Sequence, residues 1–261
     1  MGIQVNVSWD GTGTAKENME RDREQLAGVQ RADFKNETEC RIRFYSWKFP
    51  AITVGYSQYP KEWVNLVHCY DLGIEVERRP TGGGVVFHNR DLTWSIAGPK
   101  ETLGVNTIAE CYQKIHRAVA NGLTRHLGLS LFLANCKEAV SSNQLPSFCF
   151  AVPVGYDIMA SNRKLVGGAI RWTKKKFLYQ GTLSLAREWR LLQQVVLPNR
   201  RHWLKSLATT SISLEELGER KWGYQYLIWA ILEGFRSELG WDLKEESTRE
   251  VRYLWAGNRR N

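Results

Sequence analysis

Three consecutive glycines, Gly82-Gly83-Gly84, close the stretch RRPTGGG at residues 78–84. Glycine loses more backbone freedom on folding than any other residue, so three together do not suit the interior of a helix or strand. The alternating run GIEVE leads into the stretch and VVFH follows it. The pattern therefore reads as a strand, a loop stripped of side-chain bulk, and a second strand. Two readings of the loop stand side by side. It is a turn between strands, or its backbone must come close to a ligand, with arginines beside it for a negative charge.

The rest of the chain gives an α+β pattern. Residues 15–29, with Met19, Leu26 and Val29 at helical spacing, predict a helix. Residues 41–55 predict two strands around a turn at Pro50. Residues 60–72 predict one helix, opened by Pro60 and stopped by Gly73, with Trp63, Leu66, Val67 and Tyr70 on one face. VVFHNRDLTWSIAGP predicts two strands around a turn at 89–91. Ile108, Cys111, Ile115, Ala118, Val119, Leu123 and Leu127 mark the most regular amphipathic helix of the first half, over 107–128. Residues 134–149 are less regular. GYDIMASNRKLVGGAIRW predicts a hairpin turning at Ser161-Asn162-Arg163, and FLYQGTLSL a further strand. Ser213 and Glu216 form a capping box. Residues 222–239 place Trp222, Tyr226, Trp229, Leu232, Phe235 and Leu239 on a helix face that packs on the sheet. The expected architecture is a mixed, mainly antiparallel sheet flanked by helices. A main domain spans 1–212, and a small helical C-terminal cap, 213–261, packs on it.

Composition narrows the function classes. With 261 residues and 43% hydrophobic content, the chain can bury one large core. No apolar run approaches the roughly 18 residues of a membrane helix, and MGIQVNVSWDGTG lacks a basic segment before an apolar one. A cytoplasmic protein without a membrane partner is expected. The cysteines Cys40, Cys69, Cys111, Cys136 and Cys149 are odd in number and form no CxxC, so neither a disulfide framework nor a metal site is expected. Four of them read as small buried hydrophobes, and one is open to a nucleophilic role. The net charge of +9 suits acidic partners. KKK at 174–176 fits a solvated hairpin tip as well as a binding role. Zinc-finger, basic-zipper and aromatic RNA-binding signatures are missing, so nucleic acid is not the expected partner.

FYSWKFPAITVGYSQ, RRPTGGGVVFHNRDLTWSIAGP, RKLVGGAIR and YQGTLSL, in this order, resemble successive blocks of the lipoate/biotin protein ligase and octanoyltransferase superfamily. ENMERD resembles its opening helix, and the likeness runs over roughly residues 9–240. The RRxTGGGxVxH block is far more specific than a bare glycine triplet. The resemblance implies a catalytic domain of the class II synthetase and biotin-ligase type. It implies that Arg79, Thr81, Gly82, Gly83, Gly84 and Val85 form a slot for a medium acyl chain and its activated carboxyl end. Gly167, Gly168 and Ala169 would line that slot from the hairpin opposite, although a strand bulge also explains the glycine pair. Gly181 and Thr182 of the YQGT block are likewise implied to bind the substrate. Lys164 after an Asn-Arg turn would ordinarily be solvated. Here it stands at the lysine of the family's K-x-x-G motif, which implies an ammonium that steadies the oxyanion of acyl transfer.

Cys149 lies in CFAVPVGYDI, which resembles the CF-x-x-P-x-x-Y-[DE]-[LI] stretch of cysteine-dependent octanoyltransferases and lipoyl amidotransferases. The resemblance makes Cys149 the nucleophile and brings Tyr156 and Asp157 to the site; a small buried apolar cysteine is the other reading. A nucleophilic cysteine needs cations or donors nearby, and Lys164 is the candidate. ATP-dependent lipoate ligases usually carry an Asn-Asp pair here, where this chain has Tyr156-Asp157. No separate C-terminal accessory domain is expected. Gln180 replaces the histidine that many relatives carry, which puts proton transfer there in doubt. His88 fits a substrate-binding and a structural role equally.

The implied function is transfer of an octanoyl or lipoyl group onto the specific lysine of lipoyl domains through a Cys149 thioester, with no cofactor. The alternative is an ATP-dependent lipoate-protein ligase acting through lipoyl-adenylate, which needs ATP, Mg2+ and lipoate. The implied partners are acidic: acyl carrier protein, and lipoyl domains such as the glycine cleavage H protein or 2-oxoacid dehydrogenase E2 subunits. A non-enzymatic relative that only carries an acyl group is a third reading.

Overall fold

A computed structural model describes residues 3–29, 40–135, 148–151, 153–218 and 221–245. Cys136 and most of the irregular stretch 134–149 lie outside them. The strands are β1 (Gln4–Gly13), β2 (Cys40–Trp47), β3 (Ala51–Val54), β4 (Glu75–Arg78), β5 (Val86–His88), β6 (Arg90–Pro99), β7 (Phe132–Leu133), β8 (Ile158–Ala160), β9 (Arg163–Trp172), β10 (Lys176–Ala186) and β11 (Asp242–Glu245). The α-helices are α1 (Ala15–Gly28), α2 (Leu66–Asp71), α3 (Ile108–Leu127), α4 (Trp189–Val195), α5 (His202–Thr210), α6 (Leu214–Leu217) and α7 (Tyr224–Leu239). Eight strands form one sheet in the order β11-β1-β2-β6-β10-β9-β8-β7, and β4-β3-β5 form a second. Only the β11–β1, β1–β2 and β3–β4 pairs are parallel among the described strands. The fold is thus the mixed, mainly antiparallel α+β architecture read from the sequence.

Alternation along the central strands divides the large sheet into two faces. Ile42 and Phe44 of β2, Leu92, Trp94 and Ile96 of β6, and Phe177, Tyr179 and Leu183 of β10 enter one core with α3 and α7. The residues between them point the other way. Arg43 and Tyr45, Thr93 and Ser95, and Gln180 and Thr182 face α1 and the small sheet. One face is a dry core, and the other carries the polar and ligand-sized features.

The core side depends on a close helix crossing. A Cβ on Gly234 of α7 would stand 2.0 Å from the Ala118 carbonyl oxygen of α3, and one on Gly122 would stand 2.2 Å from the Ala230 carbonyl oxygen. The two backbones touch because neither glycine carries a side chain. Gly234→Ala must push the helices apart and should cost about 1–3 kcal/mol. Urea unfolding checks this; an unchanged midpoint would show that the crossing is slack.

Two sequence expectations need correction. The helix foreseen over 60–72 is broken into a 3-10 turn, Pro60–Glu62, and the short α2. Asn65 makes the break by capping Val67 and His68 with its side chain, while Val64 bridges to Val196. The foreseen apolar face is largely outside: Leu66, Val67 and Tyr70 are exposed, and Cys69 is the buried residue of α2. In α7 the buried face is centred on Leu227, Ile228, Ile231 and Phe235 and packs mainly on α3, with Trp222, Tyr226 and Trp229 on its flank. Strand β11 and helices α4 and α5 were not anticipated because their apolar runs are short; β1 was passed over although Ile3, Val5, Val7 and Trp9 alternate as a strand requires. The hairpin turn did follow its residues: Ser161 and Asn162 both take positive φ, 47° and 58°, as a tight two-residue hairpin turn requires.

Candidate active site

The glycine loop bends over the polar face of the sheet, between β4 and β5. Gly83 takes a φ of +88°, which disfavours any residue with a Cβ. Gly55 permits a backbone contact, since a Cβ there would lie 2.1 Å from the Gly83 carbonyl oxygen. Arg79 shapes the loop from inside. Its Nη2 donates to the carbonyls of Gly82 and Gly84, each at 2.7 Å, and its Nη1 to the Thr53 carbonyl at 3.2 Å. Most of this arginine's donors therefore serve the loop itself rather than an incoming anion. Arg78 faces solvent with its guanidinium over Tyr59.

Cys149 arrives at this loop by chain pairing. Phe148 bridges Val85, and the Cys149 amide donates to the Val85 carbonyl at 2.9 Å. This puts the half-buried thiol beside the third glycine. The Gly84 N–H donates to Cys149 Sγ at 2.9 Å, and Arg79 Nη2 lies 3.5 Å from the sulfur.

Lys164 is not the solvated lysine that its turn position suggests; it is 2% exposed. Its ammonium pairs with Asp157 at 2.7 Å, donates to the Cys149 backbone carbonyl at 2.8 Å, and lies over the Phe150 ring. It fixes the backbone of the cysteine, while Gly84 and Arg79 attend to the thiol. Asp157 is fully buried and accepts from Lys164, the Val154 amide and the Tyr112 hydroxyl. Burial pushes its carboxyl up, and these donors oppose that shift.

The slot itself runs across β2, β6, β10 and β9 and is partly open to solvent. Cys149, Phe150, Gly167 and Ala169 stand at one end and Met19, Tyr45 and Trp47 at the other, with Gln180 and Thr182 between. A Cβ on Gly167 would collide with Lys164 Cε at 2.5 Å, so this glycine makes room for the ammonium. Gly168 and Gly181 pair across β9 and β10 with their missing side chains toward the helices, where Cβ atoms would strike Tyr179 and Trp94. Gly181 thus belongs to the core face. Thr81 is fully buried and donates to Gln180 Oε1 at 2.5 Å. Gln180 in turn donates to Asp22 Oδ2 at 2.5 Å. Asp22 also accepts from Arg43, Tyr45 and Ser95 at 2.6–2.8 Å, a buried network under α1. Gln180 therefore ties the glycine loop to this network.

His88 lines the slot wall but has both ring nitrogens engaged, with Asp91 at 2.7 Å and Thr53 at 2.9 Å, and stacks on Trp47. This geometry suits a fixed wall. Tyr156 lies in a turn of positive φ, 71°, away from the slot lining, and its carbonyl accepts from His116. Val85 faces an adjoining cavity bounded by β5, α4 and α5. Pattern reading passed over Met19, Tyr45, Trp47, Thr53, Thr93 and Phe150 as slot residues. Period-two alternation in FYSW and DLTWS carried the signal for Tyr45, Trp47 and Thr93.

His116 lies behind the site, fully buried, bonded to the Tyr156 carbonyl and the Tyr179 hydroxyl. Burial lowers its pKa to about 3, from 6.5. Between these values the unfolded chain binds a proton that the folded chain does not. Stability from this group is full above about pH 6.5 and declines as pH falls toward about 3, by up to about 1.4 kcal/mol per unit. Urea midpoints at about pH 7 and about pH 5 should differ less in His116→Gln than in the natural protein; equal slopes would refute the assignment.

A slot ended by a half-buried cysteine, whose backbone is held by a buried lysine, is the ligand-sized site of this fold. A family model described as lipoyl protein ligase A/B catalytic domain matches residues 14–236. The chain belongs to that family. Octanoyltransferase LipM of Bacillus subtilis (strain 168) is 31% identical over 229 residues, covering 82% of this chain and 81% of the relative. Lipoate-protein ligase A, solved with bound ATP, superimposes with a TM-score of 0.71 at 23% identity, covering 97% of this chain and 92% of that one. The bipartite lipoate protein ligase of Thermoplasma acidophilum, studied with its E2 lipoyl domain, gives a TM-score of 0.71 at 21% identity over 97% of this chain and 90% of that one. At these identities the two structural likenesses concern the fold. Among the described residues, no helix is long and apolar enough to cross a membrane.

Proposed function

We propose that the chain is a protein acyltransferase that moves an octanoyl or lipoyl group to the lysine of a lipoyl domain through a thioester on Cys149. The observation that carries this reading is the half-buried Cys149 sulfur at the mouth of the slot, bonded by the Gly84 amide with the Arg79 guanidinium beside it. The thiolate attacks the acyl carbon of a thioester donor, and the donor's thiolate leaves. The neutral amine of the acceptor lysine then attacks the Cys149 thioester, the C–S bond breaks, an amide forms, and the departing Cys149 sulfur takes up the proton that the amine sheds. Both steps develop an oxyanion. The Lys164 ammonium, held by Asp157 against the Cys149 backbone, supplies a fixed positive charge there. A thioester donor is already activated, so this route asks for no ATP. The relative named octanoyltransferase LipM supports the reading, and the ligase likenesses support a lipoyl domain as acceptor. The net charge of +9 would steer the enzyme to acidic carrier domains.

The test is intact-protein mass spectrometry after incubation with octanoyl carrier protein without ATP. One octanoyl adduct, removed by hydroxylamine, is the expected result. Labelling of a lipoyl domain only when ATP and free lipoate are supplied would replace this reading with the ligase one.

A further inference from the structure

The slot has a closed end, and its construction bears on which acyl groups it takes. Cys149 lies over β9, close to Gly83 and Ala169, while Tyr45 and Trp47 rise from β2. β9, β10, β6 and β2 are consecutive neighbours in the sheet. Three strand spacings of about 4.8 Å give a span of about 14 Å. An extended chain advances roughly 1.3 Å per carbon, given C–C bonds near 1.5 Å, so an octanoyl group needs about 10 Å. A chain of twice that length cannot lie in the slot without breaking through its far wall.

That wall has a soft layer and a stiff one. Met19 of α1 is 1% exposed and packs with Tyr45 and Trp47 at the far end. Its sulfur is 3.6 Å from Gln180 Nε2. One turn further along α1 is Asp22, which holds Arg43, Tyr45, Ser95 and Gln180. Parting this network would strand buried charges, so it resists displacement. The thioether, flexible and held only by the weak bond its sulfur accepts from Gln180 Nε2, is the group whose size sets the depth.

Granting the Cys149 thioester reading, we infer that Met19 is the specificity-determining residue that limits the acyl chain to medium length, with the Asp22 network as its rigid backing. Met19→Ala deepens the slot, and Met19→Phe shortens it. The experiment uses the full chain and a series of small-thiol acyl thioesters, hexanoyl to dodecanoyl, with the rate of Cys149 acylation read by intact mass. The natural protein should favour octanoyl over dodecanoyl by roughly tenfold: dodecanoyl is four carbons longer and needs about 16 Å, so one or two of its methylenes overrun the span of about 14 Å and stay unburied. The optimum should move about two carbons longer in Met19→Ala and toward hexanoyl in Met19→Phe. Opposite shifts in the two variants are something a purely structural methionine would not produce. An unchanged length profile with acylation intact would overturn the inference, as would uniform loss at all lengths in both variants. Absence of any adduct on the natural protein would instead overturn the thioester reading and this inference with it.

Discussion

Cys149→Ala should yield a folded protein that forms no acyl adduct and transfers no acyl group to a lipoyl domain. The loss should be on the order of 10⁴-fold or more, the scale of removing a nucleophile. The fold should survive because the side chain is not a structural partner. Lys164 holds the Cys149 carbonyl, and Val85 holds its amide, so both bonds remain after the thiol is gone. The thiol's own contacts, from Gly84 and Arg79, come from groups that the rest of the loop already fixes. Circular dichroism and a thermal melt should match those of the natural protein. Retained transfer with no adduct would remove the covalent mechanism and leave direct attack of the lysine on the donor.

Lys164→Met should damage both stability and activity, and the two losses can be separated. The substitution strands the fully buried Asp157 carboxylate without its cation. Breaking such a pair typically costs about 3–5 kcal/mol. Changing Asp157 to Asn as well removes the stranded charge, and the double variant should recover much of that loss. It should recover no turnover if the proposed role of Lys164 is right, because the ammonium on the Cys149 backbone is still missing. Urea unfolding of the single and double variants, with acyl transfer measured on each, makes the comparison. If activity returned with stability, Lys164 would be a structural residue alone.

Legibility in the sequence followed the physics of each element. α3 was clear because its apolar residues recur at helical spacing between Thr107 and Gly128, which cap its two ends. The 161–162 turn was clear because Asn tolerates positive φ. α2 misleads because apolar residues at helical spacing suggest a buried face, and spacing alone does not say what lies opposite. In the site, the glycine loop and Cys149 could be placed near each other only through a resemblance. Their contact rests on a bridge between Val85 and Phe148, 63 residues apart, which no local pattern encodes. The buried hub at Asp22 was hidden for a related reason. Asn18, Asp22 and Gln25 read as the wet side of an amphipathic helix, yet all three face inward, onto polar residues of β2, β6 and β10.

The two-faced sheet also sets how this protein can vary. On β10, Tyr179 and Gln180 are neighbours in sequence but serve opposite faces, one in the helix core and one in the slot wall. A single-residue deletion upstream in that strand would exchange them, sending a glutamine among the helices and a tyrosine into the acyl path. The same holds for β6, where Trp94 alternates with Thr93 and Ser95. Insertions and deletions in these strands therefore strike folding and chemistry together. Side-chain replacements on the slot face leave the helix core untouched. Lineages of this fold can change what they hold by substitution, while the length of their central strands stays locked.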